Sequence, residues 1–187
     1  MKALCMSLII ILYASSESSS NEEAKKMDRT RLNRNAGNYL TGEMGLKATP
    51  CTVLSDGARY LISALYLWQI SSGFGTYGDT ALLWETFPKN QYFPRSVKIL
   101  LKRYREDITK WLEGHNTVQF GCDGRRNRHH PGINGTIACV VYMSENCKHP
   151  NLDVSKSKKS DFGRKFQDHL NFTGIPKGGD TVVSAPA

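Results

Sequence analysis

Apolar positions between residues 94 and 112 recur every three or four residues, which is the spacing of one face of an α-helix. The other positions in this stretch are mostly Lys, Arg, Glu and Asp, which suit a solvated face. Pro94 is typical of a helix start and Gly114 of a helix stop. The pattern predicts a helix over Arg95–Leu112 whose apolar face comprises Val97, Leu100, Leu101, Tyr104, Ile108, Trp111 and Leu112.

The period changes after this predicted helix. Thr117–Cys122 alternates between apolar and polar residues, which predicts a half-buried strand. Thr136–Met143 is a run rich in β-branched residues, as expected of a strand buried on both faces. The turn formers and charges of Asp123–Gly132 predict an exposed loop between the two strands.

A second amphipathic stretch precedes this region. Pro50–Ile70 has helical spacing of apolar residues, and a further helix is expected within Met27–Thr41. Ser71–Gly78 is predicted to be a glycine-rich loop; it lacks the Gly-Lys-Ser/Thr of a phosphate-binding loop. Helices and strands together in a chain of 187 residues predict one α+β domain with a sizeable core.

The N-terminus has the outline of a secretory signal peptide. A positive start is followed by the apolar Leu8–Tyr13 and the small residues Ala14–Ser16. This stretch is too short to span a bilayer, so we expect no transmembrane segment; a buried N-terminal strand is the alternative. The predicted organisation is a signal peptide over 1–16, a flexible segment over 17–28, a folded domain over 29–150 and a basic flexible tail over 151–187.

The formal net charge of +8 favours acidic partners. Cations cluster in the predicted loop and in the tail; for the second cluster, a solvated tail without a partner is the alternative interpretation, and the one that we favour. The residues predicted to bind a polyanion are Arg125, Arg126, Arg128, Lys156, Lys158, Lys159, Arg164 and Lys165.

Export changes the interpretation of the cysteines. Removal of Cys5 with the signal peptide leaves an even number, which predicts two disulfides with three possible connectivities. If the two predicted strands are antiparallel neighbours, a bridge between Cys122 and Cys139 would close a loop worth roughly 3 kcal/mol. A zinc site is the alternative, but no Cys-x-x-Cys pair is present. The remaining cysteines are Cys51, Cys122, Cys139 and Cys147.

Two sequons, at Asn134 and Asn171, are predicted glycosylation sites in an exported protein. Motifs for catalysis are sparse: no metalloprotease histidine spacing and no Gly-x-Ser-x-Gly occur. We therefore assign no catalytic residue, no metal ligand and no cofactor from the sequence.

Three motifs together resemble the C-terminal half of the CAP superfamily: Ile108-Thr-Lys110, Phe120-Gly-Cys122 and Ala138-Cys-Val-Val-Tyr142. That superfamily includes the SCP/TAPS proteins, the venom antigen 5 proteins and the activation-associated secreted proteins of nematodes. The departures are Asp107, where the family has a metal-cavity histidine, and Lys110, where it has glutamine. The other cavity histidine has no match, and Glu85 is the acid nearest to the family's cavity glutamate.

The resemblance implies a disulfide-stabilised α-β-α sandwich with a small antiparallel sheet. Because the two strand cysteines commonly pair in the family, it favours Cys122–Cys139 and leaves Cys51–Cys147. It also implies no metal chemistry, since carboxylates replace imidazoles poorly for zinc.

The function that the resemblance implies is that of a secreted, non-enzymatic effector or binding protein, with host interaction or immunomodulation as its role. Its partner would be an extracellular protein receptor or a lipid; a glycosaminoglycan is compatible, and nucleic acid is disfavoured. The alternative is a secreted basic hydrolase, such as a nuclease acting on a polyanion. That alternative requires His115, His129 or His130 to converge with an acid or a lysine in one cleft.

Overall fold

A computed structural model describes residues 28–64, 72–126 and 132–147. The predicted signal peptide, the basic tail, and residues 65–71 and 127–131 lie outside the described residues. In chain order the elements are helix α1 over residues 28–42, strand β1 (Lys47–Pro50), helix α2 (Thr52–Ala64), strand β2 (Ser72–Tyr77), strand β3 (Thr80–Pro88), a 3-10 helix (Phe93–Arg95), helix α3 (Ser96–Arg103), helix α4 (Arg105–Leu112), strand β4 (Thr117–Arg126) and strand β5 (Ile133–Tyr142).

The strands form one five-stranded sheet in the order β1-β4-β5-β3-β2. The predicted α+β class is therefore confirmed. The sheet is mixed, however, because β1 runs parallel to β4 while the remaining pairs are antiparallel. The short parallel strand carries Lys47, Ala48, Thr49 and Pro50, a sequence with no strand-like alternation of its own.

Helices cover both faces of the sheet. On one face, α2 contributes Leu54, Ala58 and Leu61 to a core shared with Leu82 and Val140 of the sheet. On the other face, α1, α3 and α4 pack over a larger core. Its helical members are Leu32, Ala36, Tyr39, Leu40, Val97, Leu100, Leu101, Ile108 and Leu112. The three layers match the sandwich that the resemblance implies.

The helix predicted over Arg95–Leu112 is two helices. The break lies at Tyr104, whose backbone (φ −103°, ψ 20°) leaves the helical region. The spacing of the apolar residues did not reveal the break, because both helices bury their apolar residues in the same core. The predicted stop is present: Glu113 and Gly114 both have positive φ, of 49° and 90°.

The glycine-rich stretch is a strand, so its prediction as a loop was wrong. β2 pairs with β3 along its full length, and Gly73 lies opposite Trp84. A Cβ on Gly73 would overlap the Trp84 indole, so the glycine is required by close packing and not by a turn. The predicted basic loop also begins later than expected, because β4 continues to Arg126 and buries Asp123.

Two disulfides brace the sandwich, in the connectivity that the sequence analysis favours. Cys122 lies directly opposite Cys139 in the β4–β5 ladder, and both are buried. Cys51, buried at the start of α2, is bonded to the exposed Cys147 beyond the end of β5.

Candidate functional site

A groove of about 730 Å³ runs between α1 and the junction of β1 with α2. Its α1 wall is a stripe of polar residues at helical spacing, and its floor is apolar. The wall comprises Thr30, Arg34, Asn38 and Thr41, and the floor includes Ala48, Pro50 and Phe120. The width is set by Gly37, because a Cβ there would lie only 3.2 Å from the Phe120 ring.

Asn33 of α1 completes the sheet at the inner end of the groove. β1 leaves the sheet after Pro50, so β4 has no neighbouring strand beyond Phe120. The side-chain amide of Asn33 takes the vacated place: its Nδ2 donates to the Cys122 carbonyl, and its Oδ1 accepts from the Cys122 N–H, both at 2.9 Å. Ser55 Oγ donates to the same Oδ1 at 3.2 Å.

This arrangement explains the close approach of the paired cysteines. Since both backbone groups of Cys122 point towards Asn33, Cys122 and Cys139 form a non-hydrogen-bonded pair of the β4–β5 ladder. Such pairs bring the Cα atoms closer than hydrogen-bonded pairs do. The Cα atoms of the two cysteines lie 4.1 Å apart.

Two arginines near the groove are held by a buried acid. Asp123 Oδ2 accepts from Arg59 Nε at 2.7 Å and lies 3.6 Å from Arg29 Nε, while its Oδ1 accepts from the Gly124 N–H. Burial raises the pKa of Asp123, an effect that the Gly124 amide and the two guanidinium groups offset in part. Arg29 also forms an ion pair with Asp56 at 2.7 Å.

Arg34 differs from these residues. Its side chain is exposed on the groove wall, and none of the ion pairs among the described residues involves it. Within the described part of the chain, the groove therefore presents Arg34 as a cation without an ion-pair partner, beside amide and hydroxyl groups and above an apolar floor. This combination suits a ligand that has an acidic group and hydroxyls on a partly apolar body.

Two of the predicted polyanion-binding residues, Arg125 and Arg126, lie among the described residues, and they do not share a face. Arg125 and Arg126 are consecutive residues of β4, so their side chains leave opposite faces of the sheet. Arg126 is engaged: its Nε donates to Asp28 at 2.8 Å, and its guanidinium lies 4.9 Å from the Phe93 ring centroid. The other predicted cations, Arg128, Lys156, Lys158, Lys159, Arg164 and Lys165, lie outside the described residues.

The sequon residue Asn134 lies in β5 and is partly buried. Its Nδ2 donates to the Gln91 carbonyl at 2.7 Å. Glycosylation at Asn134 stays a prediction, and the second sequon residue, Asn171, lies outside the described residues.

One histidine meets an acid in a described depression. His115 and Glu145 both line a cavity of about 360 Å³ beside the start of β4, together with Thr117 and Ser144. Among the described residues, no hydrogen bond joins the imidazole to the carboxylate and no lysine lines this cavity. The other four histidines of the chain lie outside the described residues.

Glu85 occupies a buried position on β3 beneath α3, with 7% of its surface exposed. Its Oε1 lies 2.9 Å from Arg103 Nη2, and its buried Oε2 has no hydrogen-bond partner among the described residues. Burial raises the pKa of Glu85, and Arg103 lowers it in part. Across residues 28–64, 72–126 and 132–147, no group of three or more His, Cys, Asp or Glu side chains is placed to hold a metal ion.

The groove was not predicted from the sequence. Its signal was present, because the small and polar residues of α1 recur at three- and four-residue spacing opposite the helix's apolar face. Which surface that stripe would face depends on the position of β1, and the sequence gives no strand signal there.

Comparisons with protein-family models, with curated proteins and with solved structures found no match for this chain. No helix in the described part of the chain is long and apolar enough to cross a membrane.

Proposed function

We propose that this protein is an exported, non-enzymatic binding protein of the CAP type that engages host molecules. Three features support the proposal: the signal-like N-terminus, the three-layer sandwich, and the disulfide that joins the Phe120-Gly-Cys122 strand to the following strand. Two disulfides fit an oxidising compartment.

The proposed binding role rests on the groove beside α1. Asp123 and Asp56 engage Arg29 and Arg59, whereas no ion pair among the described residues involves Arg34, which is therefore available to a ligand. Amide and hydroxyl groups flank Arg34, and Phe120 lies in the floor. We propose an acidic saccharide as the ligand, because its carboxylate or sulfate suits Arg34 while its hydroxyls suit Asn38 and Thr41.

The test uses heparin as the probe and the secreted, oxidised chain. Arg34→Gln is compared with Lys110→Gln, which removes one exposed cation from α4 and so gives the same change of net charge. Loss of a charge-assisted hydrogen bond of about 1.5 kcal/mol should weaken binding about tenfold in Arg34→Gln. The Lys110→Gln control should change the Kd by less than about twofold at physiological salt, where distant charges are screened.

Equal effects of the two substitutions would show that heparin binds through the overall charge and not through the groove. No binding of heparin to the wild-type chain at low salt would refute an acidic saccharide as the ligand. Shortening of the heparin chains during the incubation would refute the non-enzymatic role.

The hydrolase alternative is supported by one observation, the shared cavity of His115 and Glu145. An imidazole beside a carboxylate is a plausible general base, although the two groups are not hydrogen-bonded here. The alternative predicts that the protein cleaves RNA and that His115→Ala abolishes the cleavage. Absence of RNA cleavage by the wild-type chain would rule out the hydrolase alternative.

A further inference from the structure

Two large apolar side chains stand out on the surface of the described residues, and they lie close together in the chain. Tyr92 is 50% exposed and Ile99 is 43% exposed. Tyr92 directly precedes the 3-10 helix that leads into α3, and Ile99 lies on the outer side of α3. The inner side of α3 already buries Val97, Leu100 and Leu101, so Ile99 is not a poorly packed core residue.

Three cations lie near these two side chains in the sequence. Arg95, Lys98 and Lys102 are exposed and lie three or four residues from Ile99 or from one another, so they share its side of the helix. We define the α3 ridge as Tyr92, Arg95, Lys98, Ile99 and Lys102.

Among the described residues, no ion pair engages the ridge cations Arg95, Lys98 and Lys102. No Asp or Glu occurs in the sequence between Glu85 and Glu106. Arginines elsewhere, such as those around Asp123, are held by carboxylates of the fold. In the part of the chain that the structure describes, the ridge therefore presents positive charge without ion-pair partners next to exposed apolar side chains.

The Tyr92 ring is held in place before any partner arrives. Arg31 Nη1 of α1 donates to the Tyr92 hydroxyl at 3.0 Å. The Arg95 guanidinium lies 5.6 Å from the centroid of the same ring. An aromatic side chain fixed in this way loses little conformational entropy on binding, which favours its use as an anchor in an interface.

We infer that the α3 ridge is a docking surface for an acidic segment of another protein. Carboxylates of the partner would pair with Arg95, Lys98 and Lys102, and an apolar partner side chain would cover Ile99 and the Tyr92 ring. Charge complementarity selects an acidic partner. The apolar pair selects a polypeptide over a sulfated polysaccharide, which would neutralise the cations but leave Ile99 uncovered.

The experiment measures binding of a labelled synthetic peptide that alternates glutamate with leucine to the full oxidised chain. A second peptide has serine in place of each leucine and keeps the charge. Ile99→Ser should weaken binding of the leucine peptide about fivefold, because it removes apolar contact area, and should leave binding of the serine peptide unchanged.

Charge variants provide the second arm. The double variant Lys98→Gln with Lys102→Gln should weaken binding of both peptides about tenfold. Its control, Lys47→Gln with Lys110→Gln, removes two exposed cations elsewhere and should change binding by less than about twofold. All of these positions are exposed, and an unchanged urea midpoint for each variant verifies its fold.

Three outcomes would overturn the inference. Equal losses in the two double variants would mean that only overall charge attracts the peptide. If the Ile99→Ser variant bound the leucine peptide as tightly as wild type, the ridge would bind polyanions through its charge alone. Binding to phosphatidylserine vesicles that depends on Ile99, without binding of either peptide, would identify a membrane surface instead. Arg34→Gln should leave peptide binding unchanged, which separates this result from the groove proposal.

Discussion

Replacing Asn33 with alanine should destabilise the protein more than the half-buried position of this residue suggests. The substitution leaves both the N–H and the carbonyl of Cys122 without their partner. An orphaned buried polar group costs about 1–3 kcal/mol, so two of them predict a loss of about 2–4 kcal/mol, allowing for partial access of water to a half-buried site. Ser55 Oγ keeps a second acceptor, the Cys51 carbonyl, and adds little to the loss.

The assay is urea unfolding of the oxidised chain, with Asn38→Ala as the matched control. Asn38 lies on the same helix and is exposed, so the control repeats the change in helix propensity without touching the sheet. Asn33→Asp should fall between wild type and Asn33→Ala, because a carboxylate can accept from the Cys122 N–H but cannot donate to its carbonyl. In Asn33→Ala, hydrogen exchange at the Cys122 amide should accelerate.

A free energy of unfolding for Asn33→Ala within about 0.5 kcal/mol of that for Asn38→Ala would show that the Asn33 hydrogen bonds do not stabilise the fold. It would mean that water satisfies this edge of β4 as well as Asn33 does. The same conclusion would follow if Asn33→Asp were as stable as wild type, since the donated hydrogen bond would then contribute nothing.

Three further substitutions test other parts of the fold. Burial raises the pKa of Glu85 above its ordinary value of 4.5, so its contribution to stability is present below pH 4.5 and is lost as the pH rises through the folded-state pKa. Glu85→Gln should therefore reduce the decline of Tm above pH 4.5, and an unchanged pH profile would contradict this. The double variant Cys51→Ser with Cys147→Ser removes a disulfide whose cysteines are 96 residues apart, and should lower the free energy of unfolding in urea by up to about 4.5 kcal/mol because the unfolded chain gains entropy. An unchanged urea midpoint would contradict this entropic contribution. Gly121→Ala places a Cβ against the backbone of α2 and should cost about 1–3 kcal/mol by the same assay, whereas Gly42→Ala, with nothing within 4 Å, should cost less than about 0.5 kcal/mol.

The elements that the sequence predicted well are those whose signal is local. The β-branched run of β5 and the apolar stripe of α3 and α4 are visible in a short window, and their burial follows from that pattern. The β4–β5 register places Cys122 opposite Cys139, in agreement with the bridge expected between two antiparallel neighbours.

The elements that the sequence did not reveal depend on distant partners. β2 contains glycines that suggest a loop, and packing against Trp84 explains the first of them, Gly73. β1 pairs with the edge of β4, which depends on a partner distant in the chain. Its four residues end in proline and show no alternation of apolar and polar positions. The groove and the edge role of Asn33 both depend on β1, so neither could be predicted.

The Cys51–Cys147 bridge divides the chain into an enclosed and an unenclosed part. Everything from α2 to the end of β5 lies within the covalent loop, whereas α1 and β1 precede it, and the turn at residues 43–46 connects α1 to β1. Glu43 and Gly45 in that turn are exposed. A single cut there would convert α1 into a separate peptide, retained by its buried apolar side chains and by Asn33. The groove lies between that helix and the enclosed body, so exchange of a helix peptide is a way to dismantle and rebuild the binding site without breaking a disulfide.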